Sequence, residues 1–157
     1  MAVPVTWLAM FDYTRARLTQ LAVARVARGK VWRVLIAQDS AKSMRDVAPE
    51  SWRRVFGWKT GFLTPDSHGL VLWKLRGWGA EPVFRVSADD ILAVEACQEW
   101  LSDWHYFELP AVDFKLRIPP GRLVVFPSVV RSSEMARFQR ELVTWATEAR
   151  SDPRRDG

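Results

Sequence analysis

The stretch Val112-Asp113-Phe114-Lys115-Leu116-Arg117-Ile118, with the turn Pro119-Pro120-Gly121 and the run Leu123-Val124-Val125-Phe126 behind it, decides how this chain folds. Val112, Phe114, Leu116 and Ile118 alternate with Asp113, Lys115 and Arg117, which is the period of a strand with one apolar and one wet face. The Pro-Pro-Gly turn sends the chain back through Leu123 to Phe126, and Pro127 ends that strand. A helix then follows. Ser132 or Ser133 caps it and Glu134 lies in its positive first turn. Met135, Phe138, Leu142, Trp145, Ala146 and Ala149 make its apolar stripe, leaving Arg137, Arg140, Glu141, Thr144 and Glu148 outward.

Toward the N-terminus the same texture of short apolar runs and turn residues continues. Ile91 to Cys97 and Val83 to Val86 read as strands on either side of Ser87-Ala88-Asp89-Asp90, and Trp104 to Leu109 as another. Trp58 to Thr64 and Leu70 to Arg76 form a hairpin around Pro65-Asp66-Ser67-His68-Gly69, and Val31 to Ala37 predicts a further strand. Between these last two, Gln38 to Ser51 is polar and Pro49 to Phe56 predicts a short helix, so the segment reads as an insertion between strands. Ahead of the strands, Leu18, Leu21, Ala22 and Val26 recur at helical spacing from Thr14 to Arg28, with Gly29 as the stop. This predicts an amphipathic helix. The fold expected is α+β and mostly antiparallel, a barrel or sandwich capped by the C-terminal helix, with an added N-terminal helix.

Composition narrows the function. At 157 residues the chain is long enough for one self-sufficient core, and 48% apolar residues exclude a wholly disordered chain. Its single cysteine, Cys97, and two histidines, His68 and His105, exclude an internal disulfide framework and a Cys/His zinc site. No cofactor is expected. No run approaches the length of a membrane-spanning helix, and Met1 to Phe11 lacks a basic leader and a cleavage site, so a cytoplasmic protein is expected. The net charge of +5 is concentrated at the front, where residues 1–60 carry eleven Lys or Arg against four acids. Nine tryptophans are the other unusual number, and most fall inside periodic elements where they serve a core.

From Lys30 onward the chain resembles the PH-like superfamily, in particular its GRAM and bacterial PH branch. Gly61-Phe62-Leu63-Thr64 with Leu70-Val71-Leu72-Trp73 is similar to that family's first hairpin, and Ser87-Ala88-Asp89-Asp90-Ile91 to a junction between strands. Phe114-Lys115-Leu116-Arg117-Ile118, Leu123 to Phe126 and the helix from Glu134 are similar to its closing elements. The resemblance implies residues 1–29 as a helical extension, 30–150 as the PH-like domain and 151–157 as a flexible tail. It also implies a non-enzymatic binding or adaptor module, whose partner is an anionic lipid headgroup or, in the alternative, a protein.

The family's lipid motif, a lysine followed by Lys/Arg-x-Arg on the next strand, is imitated by Lys59 and Lys74-Leu75-Arg76. Residues two apart on a strand share a face, so these cations can converge on one phosphate. Trp78 stands between Gly77 and Gly79 with no periodic reason to be core, and an indole at a loop tip anchors in a membrane interface or a partner's pocket. Arg15, Arg17, Arg25 and Arg28 on the N-terminal helix add the composition of an interfacial helix on anionic lipid, hence peripheral attachment. Three weaker readings use other residues. Arg53, Arg54 and Lys59 interleave with Trp52, Phe56 and Trp58 as a nucleic-acid surface does. Asp113-Phe114-Lys115 matches the D-x-K of metal-dependent nucleases if Asp89, Asp90 or Asp103 supplies a second carboxylate, and Cys97 with His105 offers a thiol and base.

Overall fold

Seven strands hydrogen-bond in the order β4-β3-β2-β1-β7-β6-β5, antiparallel at every pairing. The computed structural model describes residues 5–27, 30–47, 60–76, 79–100, 108–128 and 131–151. In chain order these hold α1 (Val5–Ala27), β1 (Trp32–Ile36), α2 (Gln38–Val47), β2 (Thr60–Pro65), β3 (Gly69–Arg76), β4 (Gly79–Ser87), β5 (Ile91–Glu99), β6 (Leu109–Leu116), β7 (Arg122–Pro127) and α3 (Ser132–Ser151). The fold is α+β, as expected.

The alternation that predicts β6 also organises the core. Val112, Phe114 and Leu116 turn inward and meet Val34 and Ile36 of β1, Leu63 of β2, Leu70 and Leu72 of β3, Val83 and Val86 of β4, Ile91 of β5 and Leu123 and Val125 of β7. All seven strands thus surround one interior. Phe138 and Leu142 of α3 enter it from an open side, where α3 packs on β5, β6 and the turn Ala88–Asp90. That turn joins β4 to β5, the two outermost strands of the order. Ser87 Oγ accepts the Asp89 N–H at 3.4 Å, the Ala88 N–H reaches His68 O at 3.0 Å and the Arg117 N–H reaches Asp90 O at 2.8 Å, fixing the corner.

Several boundaries differ from expectation. The polar run after β1 forms α2, which the sequence reading omits. Ser40 accepts the Val124 N–H at 2.8 Å while Ala41 enters the core, so a mostly polar helix is held by two small residues at its start. Leu109 opens β6 rather than closing a separate strand. The predicted helix at Pro49 to Phe56 and most of the strand predicted from Trp104 lie outside the described residues.

Candidate functional site

The outer face of β2, β3 and β4 carries α1. Ala16, Thr19 and Val23 are buried there against Val31, Phe62, Val71 and Trp73, with Trp73 Nε1–H donating to Thr64 Oγ1 at 2.8 Å beneath them. Gln20 Nε2–H adds a bond to Val31 O at 3.2 Å. The contact side of the helix is therefore its small-residue side, because small side chains let a helix approach a surface already filled by Phe62 and Trp73. Leu18, Leu21 and Val26 are instead 47%, 53% and 68% exposed. The apolar stripe read from the sequence at Leu18, Leu21 and Val26 is therefore not the side on which α1 packs against the sheet. Arg17 and Arg25 lie on the exposed side with them, and Arg15 is within α1. Arg28 lies outside the described residues.

The headgroup constellation on β3 is placed only in part. Lys59 and Trp78 lie outside the described residues, and Arg76 is the last residue of β3. Lys74 is half-buried, takes part in further interactions, and stands opposite Glu81 in the β3–β4 register. Strand alternation sets Lys74 on the side of Leu70 and Leu72, whereas Val71 and Trp73 occupy the side under α1. Lys74 and the α1 arginines consequently do not share a surface. Of the composite expected from sequence, Lys74 and the arginines Arg17 and Arg25 stand apart, while Lys59, Trp78 and Arg28 lie outside the described residues.

A second polar cluster lies on the outer face of β5, β6 and β7, beside the buried apolar patch of Ala37, Ala111, Val124 and Phe126. Asp113, 6% exposed, is paired through Oδ2 with Arg122 Nε at 2.9 Å, and the same guanidinium donates to Glu99 Oε2 at 2.9 Å. Lys115 donates to Glu95 at 2.9 Å, which raises the lysine above its ordinary value. So Asp113 and Lys115 do share a face, as the D-x-K pattern requires, yet each is engaged by a partner of opposite charge. Asp89 and Asp90 lie in the corner turn, and Asp103 and His105 lie outside the described residues. Among the described residues no group of three His, Cys, Asp or Glu side chains is placed to hold a metal ion. Burial, then the Asp113 and Glu99 carboxylates, push the Cys97 thiol up, away from the thiolate a nucleophile needs.

Asp113 Oδ1 is buried without a hydrogen-bond partner, so among the described residues the carboxylate relies on the Arg122 ion pair at Oδ2, with Lys115 adding a more distant positive charge. Arg122→Ala is expected to cost about 1–3 kcal/mol of stability, measured by urea denaturation, because it strands a buried charge. The double variant Asp113→Asn/Arg122→Ala is expected to recover part of the loss. No recovery would mean that the pair contributes packing only.

The third surface is a groove of about 450 Å³ between α3, the start of β1 and the β2–β3 turn. Trp32, Trp145, Leu142 and Pro65 make its apolar walls, and Glu141 and Glu148 stand on its α3 side. Trp145 Nε1–H donates to Asp66 O at 3.0 Å, and Trp32 meets Phe138 edge to face at 5.2 Å, so both indoles are fixed in place. Lys30 lies over the Trp32 ring, its Nζ 4.2 Å from the centroid, and pairs with Glu141. Glu141 also accepts from Arg137 Nε at 2.7 Å. Burial pushes the Glu141 carboxyl up, but hydrogen bonds from Lys30 and Arg137 outweigh it and hold the group below its ordinary value. The Lys30 contact is therefore complete at neutral pH and is lost only as the pH falls through that lowered value. Sequence reading missed this site, since Lys30, Asp66 and Trp145 are distant in the chain and each has an ordinary local role.

No family model and no curated protein sequence matches the chain. Among the described residues no helix is long and apolar enough to cross a membrane.

Proposed function

We propose that this chain is a non-enzymatic, PH-like binding module that attaches to an anionic membrane surface through the outward side of α1. Seven antiparallel strands around one core and a closing helix support the PH-like reading. The observation that carries the lipid reading is the exposure of Leu18, Leu21 and Val26 beside Arg17 and Arg25, on a helix whose opposite side is already docked. Aliphatic side chains that enter the acyl boundary while arginines stay at the phosphates are the pattern of an interfacial helix. Half-burial of two leucines and approach of two arginines contribute on the order of 4 kcal/mol, enough for weak, reversible attachment. Lys74 lies on the other side of β3 and is not needed.

Flotation with phosphatidylglycerol or phosphatidylcholine vesicles at low and high salt tests this. The wild-type chain is expected to float with the anionic vesicles at low salt and to be released at high salt. Leu18→Asp/Leu21→Asp is expected to lose at least tenfold, while Lys74→Ala/Arg76→Ala retains binding. Loss confined to the β3 variant would return the contact to the headgroup motif, and absence of flotation in every condition would refute the lipid reading. A protein-interaction module without lipid affinity is the second reading, favoured by the groove beside α3.

A further inference from the structure

We infer that the groove between α3 and β1 is a docking site for a lysine side chain presented by a partner protein, and that Lys30 is its internal occupant. This is separate from the membrane reading and uses a different surface. The Lys30 ammonium already makes the two contacts such a ligand would make, one with the Trp32 π face and one with the Glu141 carboxylate. An indole face attracts a cation, and a carboxylate beside it takes one of the ammonium N–H groups. The walls are held independently of Lys30, by the Trp145 bond to Asp66 O and by the Trp32 contact with buried Phe138. The site thus persists when Lys30 swings away.

Charge selects the class of ligand. With Lys30 withdrawn, Glu141 keeps its Oε1 bond from Arg137 and Glu148 stands against Arg140, so the selecting group is Glu141 Oε2, the acceptor that Lys30 leaves open and that a cationic N–H donor fills. A primary ammonium fits better than a quaternary one, because the Glu141 contact is a hydrogen bond that needs an N–H. Lys30 and Glu141 are both partly open to water, with side chains 41% and 34% exposed, so exchange of one lysine for another requires no unfolding. Lys30 acts as a tethered competitor: any incoming lysine must displace an ammonium held at high effective concentration.

The test uses the full chain and a neutral Gly-Ser peptide with a single central lysine, followed by the indole N–H signals of Trp32 and Trp145 in NMR spectra, assigned with Trp32→Phe and Trp145→Phe. Lys30→Gln is expected to bind this peptide about tenfold more tightly than the wild type, and Lys30→Arg to remain closed. In the Lys30→Gln background, Glu141→Gln is expected to remove most of the gain. A norleucine peptide is expected to leave both indoles unshifted, and a trimethyllysine peptide to bind more weakly than lysine. Equal binding by wild type and Lys30→Gln would overturn the inference. So would equal binding of norleucine, which would make the groove merely apolar, or tighter binding of trimethyllysine, which would make it a quaternary-ammonium site. Circular dichroism of the Lys30 variants separates a closed groove from an unfolded chain, and Lys30→Ala serves if Lys30→Gln is unfolded.

Discussion

Phe138→Ala is expected to lower the unfolding free energy by about 3–5 kcal/mol, the upper range for deleting a buried aromatic ring. Phe138 is fully buried, belongs to the helix that closes the core, and supports the edge of Trp32. The strands around the core cannot collapse into the vacancy, because each is held by hydrogen bonds to its neighbours. A loss of that size is a large part of the roughly 5–15 kcal/mol that holds a typical domain. Urea denaturation measures it, with Phe138→Leu expected to recover more than half. Leu18→Ala on exposed α1 is the comparison, expected within about 0.5 kcal/mol of wild type. Similar losses for Phe138→Ala and Leu18→Ala would place the core elsewhere.

Gly69→Ala is expected to be nearly as damaging, at about 3 kcal/mol or more, for a reason of backbone rather than packing volume. Gly69 has φ of 154°, and an added Cβ would stand 1.9 Å from Val86 O. The obstacle is a backbone carbonyl in the β3–β4 ladder, where Gly69 pairs with Ser87, so no side-chain rotation relieves it. Strain of the φ angle and separation of the strands add together. For a domain of this size the melting temperature is expected to fall by about 10 °C. The change also moves the turn whose Asp66 Oδ1 accepts the His68 and Gly69 N–H groups at 2.7 and 2.9 Å and whose Asp66 O holds Trp145. A Gly69→Ala variant that melts with the wild type would show that β3 and β4 can part there at little cost.

The strands and the closing helix were legible because their signals are local. The alternation of Val112, Phe114 and Leu116 needs only a period of two, and Phe138, Leu142 and Ala146 of α3 fall on its inward side as the helical period predicts. Asp113 departs from that pattern, being buried on the outer side, because Arg122 across the ladder neutralises it. The N-terminal helix was legible as a helix but not in its orientation. Hydrophobicity favours Leu18 and Leu21 as the inner side, whereas shape favours Ala16, Thr19 and Val23 against Phe62 and Trp73. Shape belongs to the partner surface, which periodicity does not carry. The same limit applies to the groove, whose walls come from both ends of the chain, and to the β3 cations, where the i, i+2 spacing gives a shared side but not which side.

The strand order has a kinetic consequence. β2, β3 and β4 form one meander and β5, β6 and β7 another, each made by neighbours in the chain, while β1 pairs with β2 on one edge and β7 on the other. The pairing of Val34 with Pro127 and of Ile36 with Val125 joins opposite ends of the domain. Loop closure makes that contact the entropically expensive one, and two local meanders can form ahead of it. Substitutions at the β1–β7 seam would then act chiefly on how fast the chain refolds if closure is the transition state. Until the seam forms, β1 and β7 each present an unpaired edge, which is when a second chain can intrude.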